Sequence, residues 1–260
     1  LCAGLAWHKH RQMLKHPAPA KTSLLKRFRI LFRCSFDERL IIALIVIAVV
    51  VRWLVVAYWP FIGYDSLWVY GYNGRLFTLA NTIPESIGYY PQFLPLQYTF
   101  IQLGVGGIAD HAARMVVPML HIGAILAAYA LTQMLFSSRR AALFAAGIWA
   151  LYPHVGDWAR YGDLEIPLAF LFTLSAAFFL RAWQNAKDHH HRDALLRVRL
   201  ARHDALLAGL IFGIAMWTKP TAGAFVWGVV LLVIVEFVRV GGSWRRWWPR
   251  FEVAALTGLA

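Results

Sequence analysis

Residues 40–60 read LIIALIVIAVVVRWLVVAYWP. The run carries a single charge, Arg52, and its only proline is Pro60. At about 1.5 Å of rise per residue it makes a helix about 30 Å long, the thickness of a bilayer's hydrocarbon core. Comparable apolar runs recur at about 112–136, 140–154, 165–183, 205–218 and 221–239, with another beginning near 252. Of the 260 residues 60% are hydrophobic and only 15% charged, too little charge to clothe a soluble domain of this size. Long helical runs outweigh alternating patterns, which argues against an outer-membrane barrel. The expected fold is therefore all-α, a polytopic transmembrane helix bundle of about six to seven spans.

Leu1-Cys2-Ala3 carries no initiator Met, and Ala260 falls inside a new apolar run, so the expectation is a piece truncated at the C-terminus. Residues 1–7 are too short to span and lack a signal peptide's layout, and they suit the tail of an earlier helix. Two cysteines, Cys2 and Cys34, suggest neither a disulfide framework nor a metal cluster.

Charge placement sets the expected topology. The segment 93–108, FLPLQYTFIQLGVGGI, is apolar but short, with one proline and three glycines. If it does not cross, 21 of the 26 Lys and Arg fall on one side, including nine in residues 1–39. Only Arg75, Arg114, Arg160 and Lys219 then fall on the other side, with Arg52 inside a span. If it crosses, the split is 12 against 13. Positive charge concentrates in cytoplasmic loops, so the first arrangement is the expected one. It makes residues 1–39 a basic cytoplasmic tail and 40–260 a transmembrane module. The first external loop is 61–111, carrying interfacial helices, the second is 154–165, and a tight turn lies at Thr218-Lys219-Pro220-Thr221. Basic cytoplasmic loops facing anionic lipid account for the net charge of +13 without nucleic acid.

The external loops hold the chemistry. Loop 61–111 is rich in aromatics, among them Tyr64, Trp68, Tyr72, Tyr89, Tyr90 and Tyr98. They suit an interfacial belt, and beside an acid they also suit the C–H faces of a sugar. Asp65 stands where the chain leaves the hydrocarbon. It reads either as a helix N-cap or as a partly desolvated general base. Loop 154–165 gathers His154, Asp157, Arg160, Asp163 and Glu165. Asp163 or Glu165 can cap the helix that follows, yet acids at a membrane edge are functional candidates by default. His154 with nearby acids leaves room for a divalent cation, but the spacing matches no closed metal pattern, and no obligatory cofactor is expected. Arg52 either snorkels outward or faces the bundle and pairs with an acid of the catalytic region. Arg114, Arg160 and Lys219 read as phosphate ligands or as interfacial anchors. His189 to His191 suit a solvated turn, and WRRWWPRF at 244–251 an interfacial anchor.

The order of these features resembles the GT-C superfamily of glycosyltransferases. It lies nearest the dolichyl-phosphate-mannose–protein mannosyltransferase and aminoarabinose transferase branches, over about residues 37–240. The resemblance rests on an acid early in the first external loop (Asp65) and an Arg opening the next span (Arg114). It rests also on ARYGDLEIPLAF at 159–170 and WTKPTAGAF at 217–225. It implies a general base at Asp65 and a second site acid at Glu165, with Asp163 the near alternative. Many members carry Asp-Glu where this chain has Asp65-Ser66, and the Thr218-Lys219 stretch lacks the family's acid.

The function implied is sugar transfer from a polyprenyl-phosphate-linked donor to a hydroxyl of a protein, lipid or polysaccharide acceptor. It would occur outside a bilayer, expected to be a bacterial plasma membrane. The leaving phosphate is already a stable anion, so the enzyme must supply a base, orientation and cations. Asp65 is the expected base, with Glu165 orienting the substrates. Arg114, Arg160 or Lys219 would hold phosphate, with His154 and Tyr64 lining the site. The alternatives are a transporter or flippase and a non-catalytic subunit that binds lipid-linked sugar. A transporter predicts an inverted repeat, and the sequence shows no convincing one. The absent second acid keeps the binding subunit open.

Overall fold

The computed structural model describes residues 35–85, 91–186 and 194–260. Most of the basic tail with Cys2 and Cys34, the aromatics Tyr89 and Tyr90, and the His189–His191 turn lie outside these residues. The chain divides into two compact units at Leu40. What is described of the first is the opening turn of α1 (Phe36–Tyr58). There the Ser35 N–H donates to the Glu38 carboxylate at 3.1 Å, one half of a capping box.

Every regular element among the described residues of the second unit is helical, with no strand. After α1, a π-helical turn (Ser66–Tyr70) runs into α2 (Gly71–Ala80), followed by α3 (Phe93–Gly104) and a short α4 (Asp110–Arg114). Next come α5 (Val116–Phe136), α6 (Arg139–Leu151), α7 (Pro153–Tyr161) and α8 (Glu165–Asn185). The chain closes with α9 (Ala194–Thr218), a 3₁₀ turn (Pro220–Gly223), α10 (Ala224–Arg239) and α11 (Trp244–Leu259).

Five helices among the described residues are long and apolar enough to cross a membrane: α1, the α4–α5 stretch, α8, most of α9, and α10 with its 3₁₀ turn. The other two candidate runs are also helical but short. The run at 140–154 forms α6, 13 residues, because Pro153 cannot continue it and Tyr152 turns extended. The run near 252 belongs to α11, which starts at Trp244 and extends for 16 residues. Segment 93–108 forms α3, whose 12 residues reach about 18 Å and pack on α2 as a helical hairpin inside the first loop.

Small residues let the spans approach closely, as membrane helices require. Ala201, Ala205 and Ala208 of α9 are buried among Phe179, Ala182 and Trp183 of α8 and Val253 of α11. The Ser175 hydroxyl crosses from α8 to the Ala208 carbonyl at 2.8 Å. Arg181 of α8 clasps Asp204 of α9, with its Nε at 2.6 Å. Glu236 of α10 is buried and takes both Arg239 and Arg250, which joins α10 to α11.

The first and second loops meet over a core of Phe61, Tyr70, Leu94, Tyr98, Val117, Val155, Leu164 and Ile166. Lys219, in the turn after α9, lies 3.6 Å from Glu165. All three segments therefore share one end of the bundle.

Candidate active site

The site is built where α1 ends. Pro60 stops the helix and leaves the Trp59 and Pro60 carbonyls without helical donors. Arg114 takes both with one guanidinium nitrogen and takes the Arg160 carbonyl with another. The side chain is fully buried, so one cation ties the opening of the first loop to the end of the second. Nη1 and Nη2 are taken by backbone carbonyls while Nε is buried without a partner, so in this structure the side chain acts as a buried clamp between the two loops.

A second tie comes from Tyr98 of α3. Its ring packs on Phe61, with centroids 5.0 Å apart, and its hydroxyl donates to the Gly162 carbonyl at 2.6 Å. Burial pushes this hydroxyl's pKa well up, so it remains a donor. Gly162 ends α7 with φ +89°, a left-handed conformation that glycine adopts at least cost. A Cβ there would stand 3.1 Å from both the Phe61 ring and the Tyr98 hydroxyl.

These ties bring Asp163 against the first loop. A Cβ built at Gly63 would lie 2.8 Å from the Ser66 hydroxyl and 3.2 Å from Asp163 Oδ2, so the glycine leaves room for the carboxylate. Burial first, then the charges of Glu165 and Asp65, push the Asp163 carboxyl up to about 6, against hydrogen bonds from Ser66 that pull it down. Its Oδ1 is buried without a hydrogen-bond partner. Asp163, Asp65 and Glu165 therefore form one electrostatic group.

Asp65 itself is exposed, at the N-terminus of the π-helical turn, and its side chain makes no capping bond. The desolvated acid at this membrane edge is thus Asp163, because Asp163 and not Asp65 backs onto the packed loop. Glu165, in the first turn of α8, is partly exposed and faces Lys219. Lys219 thereby joins the group of three acids through Glu165.

The remaining expected site residues make other contacts. Arg160 pairs with Asp157 at 2.9 Å and lies over the Tyr161 ring. His154 is exposed, with its ring against Trp158 at 4.2 Å between centroids. Tyr64 is 78% exposed and makes no described contact with the acids. Arg52 faces α7, within the electrostatic reach of Asp157. Among the described residues no group of three or more His, Cys, Asp or Glu is placed to hold a metal ion.

Ser66, Tyr98, Gly162 and Gly63 shape the site without having stood out in the sequence.

The described residues thus form a helical bundle with five helices long and apolar enough to cross a membrane and a group of carboxylates at one end. The family model for dolichyl-phosphate-mannose-protein mannosyltransferase matches residues 81–254, more than half of the chain, and the chain belongs to that family. It is thus a membrane glycosyltransferase of the mannosyltransferase type. The match begins after Asp65 but includes Asp163, Glu165 and Lys219. Searches of curated proteins and of solved structures each returned no match.

Proposed function

We propose that the chain transfers a sugar from a polyprenyl-phosphate-linked donor to an acceptor hydroxyl on the extracytoplasmic side, by a single inverting displacement. The acceptor is a hydroxyl of a protein, lipid or polysaccharide. The membrane is a bacterial plasma membrane, with the basic tail on its cytoplasmic side. The observation that supports this most is the gathering of Asp65, Asp163, Glu165 and Lys219 at one end of the spans. A lipid tail can stay in hydrocarbon while its sugar reaches these groups.

Asp65 is the carboxylate an acceptor can reach, and it takes the hydroxyl proton as the oxygen attacks the anomeric carbon. The bond from that carbon to the phosphate oxygen breaks, and the phosphate leaves as an anion. Asp163, within electrostatic reach of Asp65, supplies a second carboxylate. A carboxyl near 6 can hold or release a proton close to neutrality, so it adjusts the charge of the site as the proton moves. Glu165 orients the sugar or the acceptor. Lys219, part exposed and paired only loosely, meets the phosphate charge, and turnover by this route needs no metal ion.

The test uses the full-length protein in membranes, supplied with radiolabelled polyprenyl-phosphate sugars. Asp65→Asn is expected to lower transfer by about 10²–10⁴-fold, the usual contribution of a placed general base, with expression intact. Native turnover in this variant would refute the assignment. Donor binding without turnover in both proteins would point instead to a binding subunit.

A further inference from the structure

We propose that Arg52, the lone charge in the run 40–60, is a positioning residue that holds α7, and through it Asp163, in register with the first loop. This rests on the reading of the group of acids given above.

The guanidinium lies against α7. A Cβ built at Gly156 would stand 2.7 Å from Arg52 Nη2 and 3.1 Å from Nε. Glycine at this position lets the α7 backbone settle onto the cation. The next residue, Asp157, attracts it electrostatically and also pairs with Arg160 at 2.9 Å. Arg52, Asp157 and Arg160 thus alternate in sign along the underside and flank of α7. From Arg160 onward the chain is tied twice more, by Arg114 to the Arg160 carbonyl and by Tyr98 to the Gly162 carbonyl. Asp163 follows at once. The segment from Gly156 to Asp163 is therefore pinned at both ends, by a cation from α1 and by donors from α3 and α4.

Nη1 of Arg52 is buried without a hydrogen-bond partner. His121 of α5, 1% exposed with Nε2 also unpartnered, lies within electrostatic reach and offers no negative charge. The attraction that compensates Arg52 therefore comes from α7, and this makes α7 sensitive to it. A shift of about 1 Å in a group placed for chemistry can cost on the order of 10²-fold.

The experiment compares Arg52→Lys, Arg52→Met and Gly156→Ala in the full-length membrane protein. It reads kcat and donor KM, and separately the amide hydrogen exchange of residues 157–165 without substrate. Arg52→Met is expected to lower kcat by about 10- to 100-fold with donor KM nearly unchanged, and to speed exchange in that segment. Arg52→Lys keeps a cation facing Asp157 and should retain most of kcat and of the protection. Gly156→Ala keeps every charge but pushes the guanidinium off α7, so kcat should fall several-fold with faster exchange. Equal behaviour of the Met and Lys variants would reduce Arg52 to a packing role and overturn the proposal. Unchanged exchange in both Arg52→Met and Gly156→Ala would overturn it as well. If the native protein transfers no sugar, the assigned function fails, while the exchange data still decide whether Arg52 holds the segment.

Discussion

Arg114→Lys separates two roles that a buried arginine at a membrane edge can play. In the structure its guanidinium reaches three carbonyls in two segments, those of Trp59 and Pro60 and that of Arg160. A lysine keeps the charge but has one compact ammonium, which cannot span both segments. At least one charge-assisted hydrogen bond is lost, worth about 1.5–3 kcal/mol, and a buried carbonyl is left unpaired at a cost of about 1–3 kcal/mol. A total near 3 kcal/mol, at the lower end, lowers a melting midpoint by about 6–12 °C for a chain of this size. Tryptophan fluorescence on protein in nanodiscs would follow unfolding, with transfer kinetics measured on the same preparation. The expected result is a lower midpoint and a lower kcat with donor KM little changed. A native midpoint with a raised donor KM would show that Arg114 holds substrate phosphate and would refute the clamp.

Two other predictions follow from the group of acids. Asp163 has its folded pKa raised from 3.8 to about 6, so between these values the folded protein holds more protons than the unfolded chain. Its contribution is fully favourable below about pH 4 and is lost as pH rises through about 6. Asp163→Asn should therefore flatten the decline in stability across that window in denaturant titrations, and an unaltered decline would show the carboxyl to be ordinary. The Lys219–Glu165 pair, 3.6 Å apart and partly exposed, contributes only ~0–1 kcal/mol to stability. Lys219→Met should leave unfolding nearly unchanged but raise donor KM by about tenfold or more, the worth of one charge-assisted contact to phosphate. A native donor KM would remove Lys219 from the phosphate site.

The spans were legible because lipid demands long uninterrupted apolar helices, and those leave a plain trace in composition. For 93–108 charge placement favours a segment that does not cross, and the structure gives it a helix of 12 residues. Helix ends were less legible: Tyr152 and Pro153 cut α6 short of its apolar run, while α11 begins well before its own, at Trp244. Within the candidate site, the acids Asp65, Asp163 and Glu165 of the two loops come within electrostatic reach of one another. Which acid loses water could not be read, because that depends on the room left by Gly63 and on Ser66 beneath Asp163. Arg114 read as a phosphate ligand or an interfacial anchor, and its backbone-carbonyl partners carry no residue signature. Tyr98 was one aromatic among many, and only the fold shows that its hydroxyl ends on Gly162.

The brevity of α6 bears on how the protein enters its membrane. At 13 residues α6 reaches about 20 Å, too little for a translocation channel to release into lipid as an independent segment. It is joined to α5 through Ser137, in a left-handed conformation, and Ser138, whose hydroxyl caps α6 at the Ala141 N–H. It also packs along α5. The two helices should partition together as a preformed hairpin, with α5 supplying the insertion free energy that α6 lacks. Lengthening the Ser137-Ser138 connection would then strand α6 outside the lipid during synthesis, though it alters no side chain near the acids.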